Sequence, residues 1–205
     1  MRKTSLALLA GALCFLGSCS SSAPVEKKAE APKPPPEPVT GLTGIFRCFG
    51  PTRQWSQDIL ILRAQNLHIP NMPAPPGKAY AWRTEFVSPS KQRVKTCTYS
   101  VVAAEGIMEG VFNSGDERYA GPTKMAQPFV VQAVKKDTDV IWKAAEEKSQ
   151  DYVKKNPDTP ITMLLEFNDR NPVAAWRVLW GMSVGGSPYS VFIDAANGLF
   201  LKKAF

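Results

Sequence analysis

Three short segments of the chain occur twice in the same order, and this internal repeat constrains the fold more than any other feature. With the first copy before the second, the pairs are Ala81–Arg83 and Ala175–Arg177, Tyr99–Val101 and Tyr189–Val191, and Ala103–Gly106 and Ala195–Gly198. The offsets between copies are 94, 90 and 92 residues, so only the loop lengths differ. Ordered self-similarity of this kind indicates an internal duplication. It predicts two related halves, residues 41–115 and 120–205.

The second half is predicted to form one helix followed by four strands. The helix runs from Asp137 to Asn156, because acids occupy its first turn, lysines occupy its last, and Asn156 is followed by proline. Alternation of apolar and polar residues predicts the strands Ile161–Phe167, Ala175–Val184, Tyr189–Ile193 and Leu199–Lys202. Asn197 and Gly198 both tolerate positive φ, so together they predict a type I′ hairpin turn.

The first half follows the same order with less regularity. Its helix is predicted over Gly41–Trp55, with a kink or break at Pro51. The matching strands are Ile59–Leu67, Tyr80–Phe86, Val94–Val102 and Ile107–Phe112. The predicted fold is therefore α+β, with two repeats that each lay one helix on a small antiparallel four-stranded sheet.

Residues 161–203 resemble a PepSY domain. The resemblance consists of a tryptophan-containing strand, an aliphatic strand that ends in an aspartate, and a turn with glycine before a short last strand. The matching residues are Trp176, Val178, Tyr189, Val191, Ile193, Asp194 and Gly198. Asn197 stands where the family usually has threonine. The first half resembles a degenerate copy, since Ala103 stands where the aspartate would be.

Members of this family occur in propeptides of thermolysin-type metallopeptidases and as free-standing exported or membrane proteins. The resemblance therefore implies a protein-binding module that restrains a peptidase, with no catalysis of its own. Trp176, Trp180 and Asp194 are the candidate binding residues. The alternatives are core packing for the two indoles and capping of the hairpin by the aspartate.

The first 18 residues read as an export signal. Arg2 and Lys3 precede an apolar run from Leu6 to Leu16 that is too short for a membrane span. The run closes in Leu-Gly-Ser-Cys, which resembles the lipobox of bacterial lipoproteins. The resemblance implies cleavage before Cys19, a diacylglycerol on its sulfur and an acyl chain such as palmitate on its amine, enough for stable anchoring. The alternative is plain export with cleavage nearby.

The residue after Cys19 is Ser20 rather than aspartate. In lipoproteins of bacteria with two membranes this implies passage to the outer membrane, so the predicted location is the cell envelope, on the outer membrane and facing the periplasm. Residues 19–40 are read as the lipidated cysteine and a tether. Six of the 21 residues Ser20–Thr40 are proline and none is aromatic, which is typical of an extended spacer. Recognition by a proline-binding partner is the alternative.

The formal charge of +7 falls to +5 once Arg2 and Lys3 leave with the signal. Lys91–Lys95 is the densest cationic cluster of the folded part, and it could contact lipid phosphate or nucleic acid. An exported, tethered protein rarely meets nucleic acid, so we predict no nucleic-acid partner. The plainer interpretation of the cluster is a solvated hairpin loop.

Two cysteines remain once Cys14 leaves with the signal and Cys19 is lipidated. Cys97 lies on the strand face that should meet the helix, and Cys48 lies in that helix. In an oxidising compartment these two residues are predicted to form a disulfide. Two free buried thiols are the alternative.

Motifs of enzymes are present but incomplete. Gly181–Gly185 fits the G-x-S-x-G pattern of hydrolases, which requires a strand, a turn, a helix and a histidine later in the chain. The one histidine, His68, precedes it. Ser88–Lys91 fits S-x-x-K, but its flanks read as strands. We predict no enzyme, no metal site and no cofactor; the alternative function is an envelope carrier of a small molecule or lipid in a cavity between helix and sheet.

Overall fold

The computed structural model describes residues 35–204. The helices are α1 (Gly41–Trp55), α2 (Thr138–Glu147) and α3 (Gln150–Lys155). The strands are β1 (Val39–Thr40), β2 (Leu60–Leu67), β3 (Lys78–Ala79), β4 (Ala81–Ser88), β5 (Arg93–Ser100), β6 (Gly110–Arg118), β7 (Ile161–Glu166), β8 (Ala175–Trp180), β9 (Tyr189–Asp194) and β10 (Phe200–Ala204). Among residues 35–204, no helix has the length and apolar character needed to cross a membrane.

Eight strands form one continuous antiparallel sheet in the order β10-β9-β8-β7-β2-β4-β5-β6, and β1 pairs with β3 in a separate two-stranded sheet. The sequence predicted two four-stranded sheets. Each half does contribute four strands, but β2 and β7 pair with each other and merge them. The edge strand of a sheet presents backbone N–H and C=O groups without partners. Pairing of β2 with β7 gives hydrogen-bond partners to the facing edges of both four-stranded sets.

The strand order is mirrored about the junction of β2 and β7, which we call the seam. Gln65 stands opposite Leu164 there, with Ala64 opposite Leu165. The Asn66 side chain crosses the seam, donating to the Ile161 carbonyl (3.1 Å) and accepting from the Met163 amide (2.7 Å). The two halves are therefore one structural body.

Strand register corrects the sequence alignment of the third strands. Ala81 pairs with Ser100 in the first half, and Ala175 pairs with Asp194 in the second. Ser100, not Ala103, therefore stands in the place of Asp194. Both residues cap the turn that follows, since the Ser100 hydroxyl accepts from the Val102 amide and the Asp194 carboxylate from the Ala196 amide. A serine hydroxyl and an aspartate carboxylate can each accept a hydrogen bond from the backbone amide two residues later.

Both helical layers cover the same face of the sheet. Helix α1 packs on β4 and β5, and α2 packs on β8 and β9. The core between them holds the largest fully buried side chains, among them Trp82, Trp176, Trp180, Phe86, Ile45, Ile61, Ile141, Met163 and Leu165. The Trp82 and Trp176 rings meet edge to face with centroids 6.0 Å apart. These two tryptophans thus join the two halves through the centre of the core.

Helix α1 has the predicted bounds and continues through Pro51 to Trp55, so the proline does not break it. Cys48 and Thr52, on either side of this proline, are both buried. The second helix, predicted over Asp137–Asn156, is two helices that break at Ser149. Its hydroxyl is buried and lies 3.2 Å from the Tyr189 hydroxyl. The break directs Tyr152 onto Tyr189, with stacked rings 4.3 Å apart.

The predicted type I′ turn at Asn197 and Gly198 is also wrong. Only Gly198 has positive φ, at 79°, whereas a type I′ turn needs it at both residues. The Asp194 carboxylate instead accepts from the Ala196 amide (2.7 Å) and the Asn197 side-chain amide (2.8 Å). The aspartate shapes the turn, and the strand after it begins at Phe200 rather than Leu199.

Asp137 connects the first turns of the two main helices. One carboxylate oxygen accepts from the Thr138 amide (2.8 Å) of α2 and the Leu42 amide (3.0 Å) of α1. The other accepts from the Thr40 hydroxyl at 2.7 Å. Helix N-termini carry unpaired amides and partial positive charge, and one carboxylate satisfies both here. The sequence marked Asp137 only as an acid of the first turn of one helix.

The S-x-x-K segment forms the hairpin turn between β4 and β5, as predicted. Its serines are hydrogen-bonded to Asp58, which accepts from the hydroxyls of Ser56 (2.6 Å) and Ser88 (2.7 Å) and from the Ser90 amide (2.8 Å). The Ser56 and Ser88 hydroxyls and the Ser90 amide hold the pKa of Asp58 well below its usual range.

We expect Asp58→Asn to destabilise the protein at pH 7 and to cause a smaller loss of stability in acid. A pKa that is lowered by folding contributes stability above the unfolded value of about 3.9, and this stability is lost as the pH falls through the folded value. Urea unfolding at pH 7 and at about pH 3 measures the difference between the variant and the wild type. A difference that stays constant would show that ionised Asp58 is not the stabilising species.

Candidate functional site

The predicted binding residues lie in the core or are engaged in a turn. Trp176 and Trp180 are 0% and 1% exposed, and Asp194 is 7% exposed with its carboxylate bonded to the turn. The two indoles fill the layer between the sheet and the helices. A partner must therefore contact other side chains. Cys19 lies outside the described residues.

Cys48 and Cys97 lie at disulfide distance, with their sulfurs 2.07 Å apart and both residues 0% exposed. The bond joins α1 to β5 beneath the helix. It is the structural cross-link that the sequence predicted, and it leaves neither of these thiols free for metal binding or nucleophilic chemistry.

A cleft of about 700 Å³ opens where β2 ends and β7 begins. We call it the seam cleft. Its floor consists of helix-side residues of the central strands: Asn66, Trp82, Ile161 and Met163. Its walls are two loops, residues 68–77 and 157–160. Met182, which belongs to the loop after β8, lies beside these walls. The cleft therefore lies between the two halves, on the face that the helices leave open at this end.

The walls of the seam cleft are rich in proline. Six line it: Pro70, Pro73, Pro75, Pro76, Pro157 and Pro160. Proline has a fixed φ and no N–H donor, so these walls are stiff and offer apolar rings beside carbonyl acceptors. The charged side chains among the lining residues are Lys78 and Asp158, both exposed. The cleft suits an extended apolar segment better than a charged ligand.

His68 lines the cleft, and the contacts of its ring specify its hydrogen-bonding role. The Thr162 hydroxyl donates to the Gly181 carbonyl (2.6 Å), so the His68 Nε2–H must donate to the Thr162 oxygen at 2.8 Å. The lone pair of the neutral ring is then on Nδ1. Burial lowers the pKa of His68, which favours this neutral form.

The described residues around His68 do not assemble the groups that a hydrolase nucleophile needs. The lining residues of the cleft include no serine or cysteine. Ser183 of the G-x-S-x-G segment lies in an exposed loop, where its hydroxyl accepts from the Gly186 amide at 3.1 Å. A strand follows this loop rather than a helix. The structure thus provides the Gly-rich loop that the sequence favoured over a nucleophile elbow.

Sequence reasoning missed the seam cleft, although one signal was present. Four of the seven residues 70–76 are proline, an uncommon density inside a folded domain. This segment lies between two predicted strands, Ile59–Leu67 and Tyr80–Phe86. The segment opposite, residues 157–160, is about 90 residues away in the chain, and only folding brings the two together.

The chain matches no family model, no curated protein and no solved structure. The resemblance of residues 161–203 to a PepSY domain therefore stays a prediction.

Proposed function

We propose that this chain is a lipid-anchored protein of the bacterial envelope whose folded part binds another protein. The observation that carries the proposal is the seam cleft, an open, proline-walled apolar groove at the junction of the two halves. Extended segments rich in apolar residues dock into such grooves, which offer aromatic floors and rigid walls. The protein itself performs no chemistry in this proposal.

The anchor belongs to the same proposal. Cys19 carries the lipid, residues 20–38 form the tether, and the folded part begins at Val39, whose carbonyl accepts from the Trp82 indole N–H at 3.0 Å. The tether places the cleft at a distance from the outer membrane, facing the periplasm. A partner of the cleft is then another envelope protein.

A peptidase is the partner class that the family resemblance favours. Two PepSY-like repeats, the first degenerate, are consistent with the mirrored strand order and with the equivalent registers of Trp82 and Trp176. In this form of the proposal an extended segment of the peptidase enters the cleft, and the complex restrains its activity.

A carrier of a small molecule or lipid is the second candidate, and the cleft volume favours it. About 700 Å³ falls within the range of ligand pockets. The sequence predicts the binding site of such a carrier in a cavity between helix and sheet. In the described part of the chain, Trp82, Trp176 and Trp180 fill much of that interface, so a carrier would use the seam cleft instead.

We expect Met182→Lys to abolish partner capture and Met125→Lys to leave it intact. Both side chains are similarly exposed, at 59% and 57%, but only Met182 lines the cleft. Loss of an apolar interface contact and burial of a new charge weaken binding by about tenfold or more. The assay immobilises the mature chain, made unlipidated by Cys19→Ser, exposes it to envelope extract and quantifies retained proteins by mass spectrometry.

Each result of this capture assay leads to a different conclusion about the seam cleft. If the two methionine variants retain the same proteins in the same amounts, the seam cleft is not the binding site. If no protein is retained but native mass spectrometry shows a co-purified small molecule that Met182→Lys releases, the carrier hypothesis replaces protein binding. A retained peptidase, inhibited by the wild-type chain in a turnover assay, would identify the partner class.

A further inference from the structure

One flank of the folded part is strongly basic. Helix α1 contains Arg47 and Arg53, strand β5 contains Arg93 and Lys95, and neither element contains an acidic residue. Lys91 in the adjoining hairpin adds a fifth cation. Because α1 packs on β5, these charges share one surface along the first half.

Four of these cations lie over aromatic rings. The Lys95 and Lys91 ammonium groups lie 5.1 and 5.5 Å from the centre of the Trp55 ring. The Arg47 guanidinium lies 5.9 Å from the Tyr99 ring. Arg53 lies at the same distance from the Phe49 ring. We call the surface formed by these cations and rings the cation–aromatic band; from Arg47 to Trp55 it spans about 12 Å of helix.

The four ring-stacked cations make no ion pair in the described part of the chain, although one carboxylate lies near them. Asp116 in the neighbouring strand β6 pairs with Arg93. The hydrogen bond from Arg93 and the positive charges of Arg93, Lys95 and Lys91 together lower the pKa of Asp116. Within residues 35–204 the ion pairs are Arg63–Glu85, Arg93–Asp116 and Lys148–Glu147, so none of the four ring-stacked cations is in one. Phe46, next to Arg47 on α1, is 53% exposed although the helix has a large buried face. The surface therefore combines unpaired positive charge with an exposed apolar ring.

We propose that the cation–aromatic band is a membrane-contact surface, which binds the phosphate groups of anionic lipids. Lysine and arginine are attracted to the phosphates, while tryptophan and tyrosine favour the headgroup layer because one end of each ring system is apolar and the other polar. An exposed phenylalanine can insert among the acyl chains at the same depth.

The position of the band relative to the tether favours a membrane over other anionic partners. Helix α1 starts at Gly41, directly after the tether and β1, so Arg47 is about 9 Å along the helix from the point where the tether joins the fold. A lipid at Cys19 would hold this surface within about 60 Å of the bilayer, which raises the effective concentration of lipid phosphate. The band then orients the folded part on the membrane and leaves the seam cleft to its partner.

The test uses the mature chain with Cys19→Ser, so that no lipid anchor contributes. Cosedimentation is measured with vesicles of equal parts phosphatidylglycerol and phosphatidylcholine, and with phosphatidylcholine vesicles. We expect binding to the anionic vesicles at low salt, loss of binding in about 0.5 M salt, and little binding to the neutral ones. Lys91→Gln with Lys95→Gln should weaken binding by about 25-fold, since each cation at an anionic surface strengthens it about fivefold.

The matched control removes the same charge elsewhere, by Lys154→Gln with Lys155→Gln in the exposed last turn of α3. It should bind anionic vesicles like the wild type. Equal loss in both double variants would overturn the proposal, because net charge alone would then explain binding, and so would a wild type that does not bind. Displacement by inorganic phosphate beyond the effect of its ionic strength would reassign the site to free phosphate. None of these outcomes depends on the partner of the cleft, so this proposal and the proposed function can fail separately.

Discussion

Gly44→Ala is expected to lower the free energy of unfolding by roughly 3 kcal/mol. A Cβ at this position would lie 2.5 Å from both Cβ and Cγ of Trp82, closer than any tolerated contact. Helix α1 can approach β4 only because this residue has no side chain. Trp82 is itself held by its indole hydrogen bond and its contact with Trp176, so it cannot move aside cheaply. Urea denaturation followed by far-UV circular dichroism measures the change.

The control is Gly50→Ala in the same helix, where an added Cβ would meet nothing within 4 Å. Alanine favours the helix over glycine by about 1 kcal/mol, but the ring of Pro51 opposes helical geometry at the residue before it. We expect the two effects to offset each other nearly completely. If Gly44→Ala and Gly50→Ala proved equally stable, the close approach of α1 to Trp82 would be wrong.

Removing the cross-link between α1 and β5 is expected to cost roughly 4 kcal/mol in the double variant Cys48→Ala and Cys97→Ala. The two cysteines are 49 residues apart, so the bond restricts a long loop of the unfolded chain. Both side chains are fully buried, and alanine leaves only small voids that add to the loss. A loss of this size is a large share of the stability of a domain of this length.

Reduction provides the independent check on the disulfide. Wild-type protein in a thiol reductant should unfold at the same urea concentration as the double variant, whereas the variant should not respond to reductant. Alkylation of the wild-type protein, denatured without reductant, should modify neither Cys48 nor Cys97. Modification of both would show that they are free thiols, and the stability of the double variant should then differ little from that of untreated wild type.

Much of the local structure was predictable because it depends on neighbours in the chain. Alternation placed Trp176, Val178 and Trp180 on one face of a strand, as β8 has them. The helix over Gly41–Trp55 was predicted with its observed bounds. The duplication predicted a helix and four strands in each half, and the mirrored order of the sheet is consistent with it.

Features that depend on distant residues were not predictable in this way. The second helix breaks at Ser149, where the side chain contacts the hydroxyl of Tyr189, 40 residues further along the chain. The conformation of the turn after β9 is set by hydrogen bonds to the Asp194 carboxylate. It is not the type I′ turn that the dipeptide Asn197–Gly198 usually marks. The seam cleft needs loops that are about 90 residues apart in the chain.

The sequence by itself determined the alternation of the strands and made Cys48 and Cys97 the predicted disulfide pair, because these follow from local periodicity and from which residues are present. Only the tertiary structure decided that Trp176 and Trp180 are core and that the two sheets are one. A large amphipathic side chain serves a core or a binding surface equally well. Periodicity shows which residues share a face, but burial depends on which element packs against that face, and that is settled by contacts between residues far apart in the chain.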